Sequence, residues 1–207
     1  MIPTVILAAG KSTRMGRPKA TLPIGTGPDT FLTRIIRTFQ DADVDDVVVV
    51  LGHEADAVRE SVARSGLTAR VVMNADYERG QLSSLVAGLC AIDRPGVDAM
   101  LLTLVDAPFV SSETVRAVVQ RYRAVRAPIV RPVRGASHGH PVLIDRSLFD
   151  ALRAADPASG AKQVVRAHVS AAGDVAIDDE GAFLDIDTPE EYARAIAAFG
   201  PSDRRQL

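Results

Sequence analysis

The stretch that most restricts how this chain can fold lies at its start. Ile2-Pro3-Thr4-Val5-Ile6-Leu7-Ala8-Ala9 is a short apolar run that breaks into Gly10-Lys11-Ser12-Thr13-Arg14-Met15-Gly16-Arg17-Pro18-Lys19. An apolar, β-branched run of this length, closed by glycine and polar residues, predicts a buried strand feeding a loop. In open α/β sheets a loop at the carboxyl end of a strand is where ligands bind. Gly10 and Gly16 let the backbone approach a ligand closely, and Lys11, Arg14, Arg17 and Lys19 supply four clustered cations. That chemistry suits a polyphosphate.

The rest of the chain repeats the strand-then-helix alternation. Phe31, Leu32, Ile35, Ile36 and Phe39 fall at helical spacing after a capping Asp29 or Thr30, and Val47 to Leu51 reads as a strand covered on both faces. A helix from Glu54 to Arg64, a strand from Ala69 to Met73, a helix through Leu85, Leu89 and Ile92, and a strand from Met100 to Val105 follow. This order predicts βαβ units and a mainly parallel sheet whose strand carboxyl ends share one rim. The first loop, Gly80 to Ser84 and Asp106 are expected together on that rim.

Beyond Asp106 the pattern is less regular. A helix capped by Ser111 or Ser112 runs to about Val125, Pro128 to Pro132 is a short strand, and residues 134–141 form a loop before a strand from Val142 to Asp145. Short helices are expected around Leu148 to Arg153 and after Ser159-Gly160-Ala161-Lys162, and short strands at Asp174 to Ile177 and Phe183 to Ile186. Thr188-Pro189-Glu190-Glu191 is a capping box with proline at the first helical position, opening a last helix from Pro189 to Phe199. There is no internal repeat and no linker, so residues 1–199 are expected to form one domain and 200–207 a frayed tail.

Composition removes several function classes. A net charge of −2 supplies no broad basic surface for nucleic acid. The single cysteine, Cys90, excludes an internal disulfide and a cysteine-built metal site within one chain, and its neighbours Leu89 and Ile92 suggest a packed helix position. No apolar run reaches membrane-spanning length, and no basic segment precedes the first one, so a cytoplasmic protein without membrane contact is expected. His53, at the end of a strand, reads as a plain loop histidine.

Two phosphate-binding motifs fail on spacing. A P-loop would need glycine five residues before Gly10, where Val5 stands inside the strand, and a dinucleotide fingerprint would need a third glycine. Leu7-Ala8-Ala9-Gly10-x-Ser12-x-Arg14-Met15-Gly16-x-x-Lys19 instead resembles the signature of the nucleotidyltransferase superfamily, in particular its molybdenum-cofactor cytidylyltransferase branch. The resemblance extends from Ile2 to about Ala198. It implies a single-domain, three-layer Rossmann-like α/β fold of glycosyltransferase-A type with a mainly parallel mixed sheet.

Asp106 ends a hydrophobic strand just before a chain reversal at Pro108. By its position alone it serves equally as a metal ligand or as an Asx-turn residue. The resemblance of Leu104-Val105-Asp106-Ala107-Pro108 to the family's Asp-x-Pro segment favours metal. Asp185 and Asp187 project to one face of an extended segment. The resemblance implies that Asp185 is the second ligand, with Asp187 as helix cap or outer-shell acceptor, and Mg²⁺ as the ion with Mn²⁺ as the alternative. Gly80-Gln81-Leu82-Ser83-Ser84-Leu85 is similar to the family segment beside base and ribose, although Ser83 and Ser84 also suit a simple helix cap. The nucleotide-binding set is thus Leu7, Ala8, Ala9, Gly10, Ser12, Thr13, Arg14, Gly16, Lys19, Gly80, Gln81 and Ser84, with Arg14, Lys19 and Asp106 acting in catalysis. Gly139-His140-Pro141-Val142 and Ser159-Gly160-Ala161-Lys162 resemble segments on the acceptor side, which makes His140, Pro141, Gly160 and Lys162 candidates there.

The activity so implied is transfer of CMP from CTP to a molybdopterin-type molybdenum cofactor with release of pyrophosphate. Guanylyl-transferring relatives usually carry a second glycine at the position of Ala9, so Ala8-Ala9-Gly10 favours CTP over GTP. Two other readings stay open. A sugar-1-phosphate nucleotidyltransferase shares the loop and the metal but usually has a longer second half. A nucleotide- or cofactor-binding protein that delivers its cargo to a molybdenum hydroxylase apoenzyme would show no turnover.

Overall fold

In a computed structural model, residues 1–200 are described. The strands are β1 (Thr4–Ala8), β2 (Val47–Leu51), β3 (Arg70–Met73), β4 (Ala99–Leu104), β5 (Ile129–Arg134), β6 (Ser137–His138), β7 (Val142–Asp145) and β8 (Asp174–Ala176). The helices are α1 (Phe31–Asp41), α2 (Ala55–Ser65), α3 (Gln81–Ile92), α4 (Ser112–Val125), α5 (Phe149–Arg153), α6 (Ala161–His168) and α7 (Pro189–Phe199). The sheet order is β3-β2-β1-β4-β7-β5-β6, with β8 paired to β5. Strands β1 to β4 are mutually parallel, and β7 runs antiparallel to both β4 and β5. The reversal of β7 follows from the chain: after α4 and β5 a hairpin leads back through β6, and no crossover helix intervenes.

Covering both faces makes three layers. In β2, Val47, Val49 and Leu51 face α1, α2 and α4, while Val48 and Val50 face α3 and α5. All five are buried, as a continuous β-branched run requires. A third apolar cluster, Leu22, Ile24, Phe31, Phe109, Ile186 and Ala195, seats α7 beside the strand rim.

Three local expectations are corrected. Cys90 is exposed, not packed: the buried stripe of α3 is Leu82, Leu85, Leu89 and Ile92, and Cys90 lies five residues, about 140° of turn, beyond Leu85. Residues 134–141 are no simple loop, because β5 extends to Arg134 and pairs with Ser137 and His138 across a turn where Gly135 takes φ 58°. Phe183 to Ile186 is no strand. Glu180–Phe183 wind into a 3-10 turn pinned by the Asp179 carboxylate, which accepts the Gly181 N–H at 3.1 Å, and residues 184–187 run extended outside the sheet. The expected tail, beyond Gly200, lies outside the described residues.

Candidate active site

Parallel pairing of β1, β2, β3 and β4 brings their carboxyl ends to one rim, and the reversed β7 delivers its amino end, His140-Pro141, to the same rim. There the first loop closes a cleft of about 350 Å³. Its walls include Leu7, Ala8, Ala9, Gly10, Ser12, Thr13, Arg14 and Lys19 on one side and Gly80, Gln81 and Ser84 on the other. Asp106 and Asp187 close one end. Of the sequence-predicted nucleotide residues only Gly16 stands off the wall. It takes φ 67° at the end of the short turn Thr13–Met15, and that left-handed geometry favours glycine.

The loop is tied by its own polar groups. Ser12, itself in the left-handed region at φ 49°, accepts the Lys19 backbone N–H on its hydroxyl at 3.1 Å. This folds the loop back so that Lys19 points inward, and the residue is 9% exposed. Its amine donates to Asp187 Oδ1 at 2.5 Å and lies 3.4 Å from Asp106 Oδ2. Arg14 reaches the other Asp187 oxygen at 3.2 Å. The hydrogen bond from Lys19, with the charges of Lys19 and Arg14, holds the Asp187 carboxyl below the usual carboxylate range. Lys11 points elsewhere and pairs with Glu78 at 2.5 Å.

Backbone bonds explain why residues so distant in sequence converge. The Ile186 N–H donates to the Asp106 carbonyl at 2.9 Å, and the Val105 N–H donates to the Leu7 carbonyl at 3.1 Å. The 185–187 segment is therefore laced to the end of β4, and β4 to the end of β1. His140 joins because its N–H donates to the Ala182 carbonyl at 2.8 Å, against which Gly139 sits too close for a side chain. Partial burial of its carboxyl first, and the neighbouring Asp106 second, push the Asp185 pKa up, although the residue as a whole is exposed, so the Asp106 carboxylate is the firmer of the two causes. One oxygen of Asp106, Oδ1, is buried with no hydrogen-bond partner among the described residues, as is His140 Nδ1. A buried orphan carboxylate oxygen beside a second carboxylate fits a hard divalent cation, which needs only one or two carboxylates when phosphates supply the remaining ligands. No group of three or more potential metal-ligating side chains occurs among the described residues.

Two minor assignments change. Asp187 does not cap α7: the cap is Thr188, whose hydroxyl accepts the Glu191 N–H, leaving the Asp187 carboxylate for Lys19 and Arg14. Neither Ser83 nor Ser84 caps α3, whose N-cap is Gly80; both hydroxyls instead accept from the Asn74 amide, at 2.9 and 3.0 Å. On the acceptor side the candidates separate. Gly160 and Lys162 line a second cavity of about 300 Å³, floored by Leu82, Leu85 and Leu102 and adjoining the cleft at Leu7 and Gln81. His140 lines neither cavity and is near enough to Asp185 to act on its charge. Sequence reasoning missed Tyr77 and Asn74. Tyr77 is the one aromatic side chain on the described cleft wall, and its sequence signal was only an aromatic residue inside a turn-rich segment.

Comparison with known proteins agrees with this geometry. The family described as MobA-like NTP transferase domain matches residues 4–172. The chain is 27% identical over 199 residues to the molybdenum cofactor cytidylyltransferase of Escherichia coli (strain K12), covering 94% of this chain and 95% of that one. A nucleotidyl transferase from Methanothermobacter thermautotroptrophicus superposes with TM-score 0.77 at 25% identity, over 96% of this chain and 97% of that one. The Rv0371c protein of Mycobacterium tuberculosis H37Rv, crystallised in complex with manganese, superposes with TM-score 0.74 at 28% identity, over 95% and 98%. With its fold, its basic first loop and its carboxylate-ended fourth strand all in place, the chain belongs to the MobA-like NTP transferase family and is a nucleotidyltransferase.

Proposed function

We propose that the protein transfers CMP from CTP to the terminal phosphate of a molybdopterin-type molybdenum cofactor. The observation that carries this reading is the buried Lys19 amine, held with Arg14 against Asp106 and Asp187 at the end of a cleft walled by the first loop and the start of α3. Cations so placed meet a triphosphate at one end while the Gln81 amide and the Ser84 hydroxyl meet a base and ribose at the other. The likeness to a cytidylyltransferase over almost the whole chain, and alanine at position 9, favour CTP.

In this reading an oxygen of the acceptor phosphate attacks the α-phosphorus in line. A new phosphoanhydride bond forms as the bond to the β-phosphate oxygen breaks, and pyrophosphate leaves. The attacking oxygen is already anionic, so no protein nucleophile is needed. Arg14 and Lys19 stabilise the charge that develops, and the loop from Ala9 to Thr13 positions the triphosphate. Asp106 and Asp185 would hold a Mg²⁺ ion, which when bound supplies charge neutralisation on the phosphates. His140, Pro141, Gly160 and Lys162 would contact the acceptor.

Pyrophosphate release from each of the four nucleoside triphosphates, with and without molybdenum cofactor, tests the reading. Release from CTP that depends on the cofactor is expected. Cofactor-dependent release from GTP alone would move the base assignment, and release with a sugar 1-phosphate would move the acceptor. No release with any acceptor would favour a delivery protein for a molybdenum hydroxylase.

A further inference from the structure

The aromatic ring on the cleft wall has no role in the chemistry described so far. Six Phe and three Tyr make up all the aromatic residues of the chain, and Phe31, Phe39, Phe149 and Tyr122 are fully buried in its core. Tyr77 is only half-buried and opens on the cleft between the first loop and the start of α3. Its placement is built. Gly52, just past β2, leaves the space that Tyr77 fills, since a Cβ there would stand 2.7 Å from Tyr77 Cβ and Cγ. The Asn74 side chain accepts the Asp76 N–H at 3.0 Å, fixing the turn that starts at Tyr77. Lys11 reaches from the first loop to Glu78 at 2.5 Å, and its amine lies 5.9 Å from the Tyr77 ring centroid.

Three separate segments thus converge on Tyr77, with the His53 ring centroid 6.1 Å from its own at a tilt of 48°, and leave its half-buried side chain lining the cleft beside Gly80, Gln81 and Ser84. We propose that Tyr77 is a base-binding residue whose ring is the platform on which the nucleobase stacks, with the Lys11–Glu78 pair bracing the turn that carries it. This rests on the nucleotidyltransferase reading of the cleft and deepens it. Every base has a π-face, so stacking adds affinity for cytosine and guanine alike. Selection between them then falls to the hydrogen-bonding groups of Gln81 and Ser84.

Dissociation constants for CTP, GTP and inorganic tripolyphosphate, each with Mn²⁺, test the assignment in wild type, Tyr77→Leu and Tyr77→Phe. Leucine keeps apolar bulk against Gly52 but removes the aromatic face. Tyr77→Leu is expected to weaken both nucleotides roughly tenfold and to leave tripolyphosphate within about twofold of wild type, while Tyr77→Phe stays within about twofold for all three. Equal weakening of tripolyphosphate and CTP in the leucine variant would mean that Tyr77 only shapes the loop, and overturns the proposal. Loss in the phenylalanine variant as large as in the leucine one would assign the hydroxyl rather than the ring, and overturns it too. Wild-type protein that binds tripolyphosphate but neither nucleotide would instead overturn the parent reading of the cleft.

Discussion

Lys19 shows how far one side chain depends on its surroundings. By charge it is the last of four cations in a basic loop, and only the family resemblance of the loop motif ranks it, with Arg14, above Lys11 and Arg17. The Ser12 hydroxyl turns it inward, and Asp106 and Asp187 receive it, whereas Lys11 is spent on Glu78 at the surface. Losing one preorganised charge-stabilising group typically removes about 3–4 kcal/mol of transition-state stabilisation, or roughly 10²–10³ in rate. Lys19→Ala and Asp106→Ala are each expected to lower kcat/KM for pyrophosphate release on that scale, with folding checked by thermal melting. Near-wild-type turnover in either would remove that residue from the catalytic set. The paired carboxylates were legible as a pattern, and the resemblance set Asp185 beside Asp106, but the partners of Asp187 were not legible. Asp187 meets the cations and Asp185 lies with Asp106 and His140, because the end of β4 laces to Ile186 between them.

At the scale of elements, α3 and α7 carry the site and are fixed by different means. α3 lies directly on β1 and β2, and Gly88 permits the approach, since a Cβ there would overlap the Val5 side chain and stand 3.0 Å from Val50. On an exposed helix Gly→Ala would gain about 1 kcal/mol. Here overpacking reverses the sign, and Gly88→Ala is expected to lower unfolding stability by about 1–3 kcal/mol in urea titration. A stabilised variant would show that α3 can lift without penalty. α7 is started by the reciprocal Thr188–Glu191 capping box, in which Glu191 also accepts the Asp187 N–H at 2.8 Å. Thr188→Ala is expected to cost about 1 kcal/mol of stability, and Glu191→Ala, which removes the acceptor of the Asp187 N–H, is expected to raise KM for the nucleotide. An unchanged KM would uncouple the cap from the site. The elements themselves were mostly readable, since Val47–Leu51 and Pro189–Phe199 follow from composition and capping alone. Phe183 to Ile186 was not, because an apolar run becomes a strand only if a sheet edge is free to pair with it.

For the whole molecule, the end of the sheet opposite the cleft is closed by a polar cluster. The Tyr122 hydroxyl donates to Asp145 Oδ2 at 2.6 Å and lies 3.1 Å from the Asp98 carbonyl, joining α4, β7 and the start of β4. Burial first, and the Asp145 carboxylate second, push its pKa from 10.0 up to about 12. A raised folded-state value means that the contribution is complete below the unfolded value and fades as pH rises through the folded one. Tyr122→Phe is therefore expected to be about 1 kcal/mol less stable than wild type at neutral pH. That gap should narrow from pH 10 toward 12, as read from denaturant midpoints, and a pH-independent gap would deny the hydroxyl this role. The sequence by itself determined the α/β class, the strand-to-loop turn at the amino end and the identity of the charged groups, because hydrophobic periodicity and glycine placement act within a few residues. Only the tertiary structure decided which of those groups meet. The reversal of β7, the Ile186–Asp106 bond and the slot beneath Tyr77 join segments up to 80 residues apart. Contacts across such distances arise from packing and backbone pairing, which no local pattern encodes.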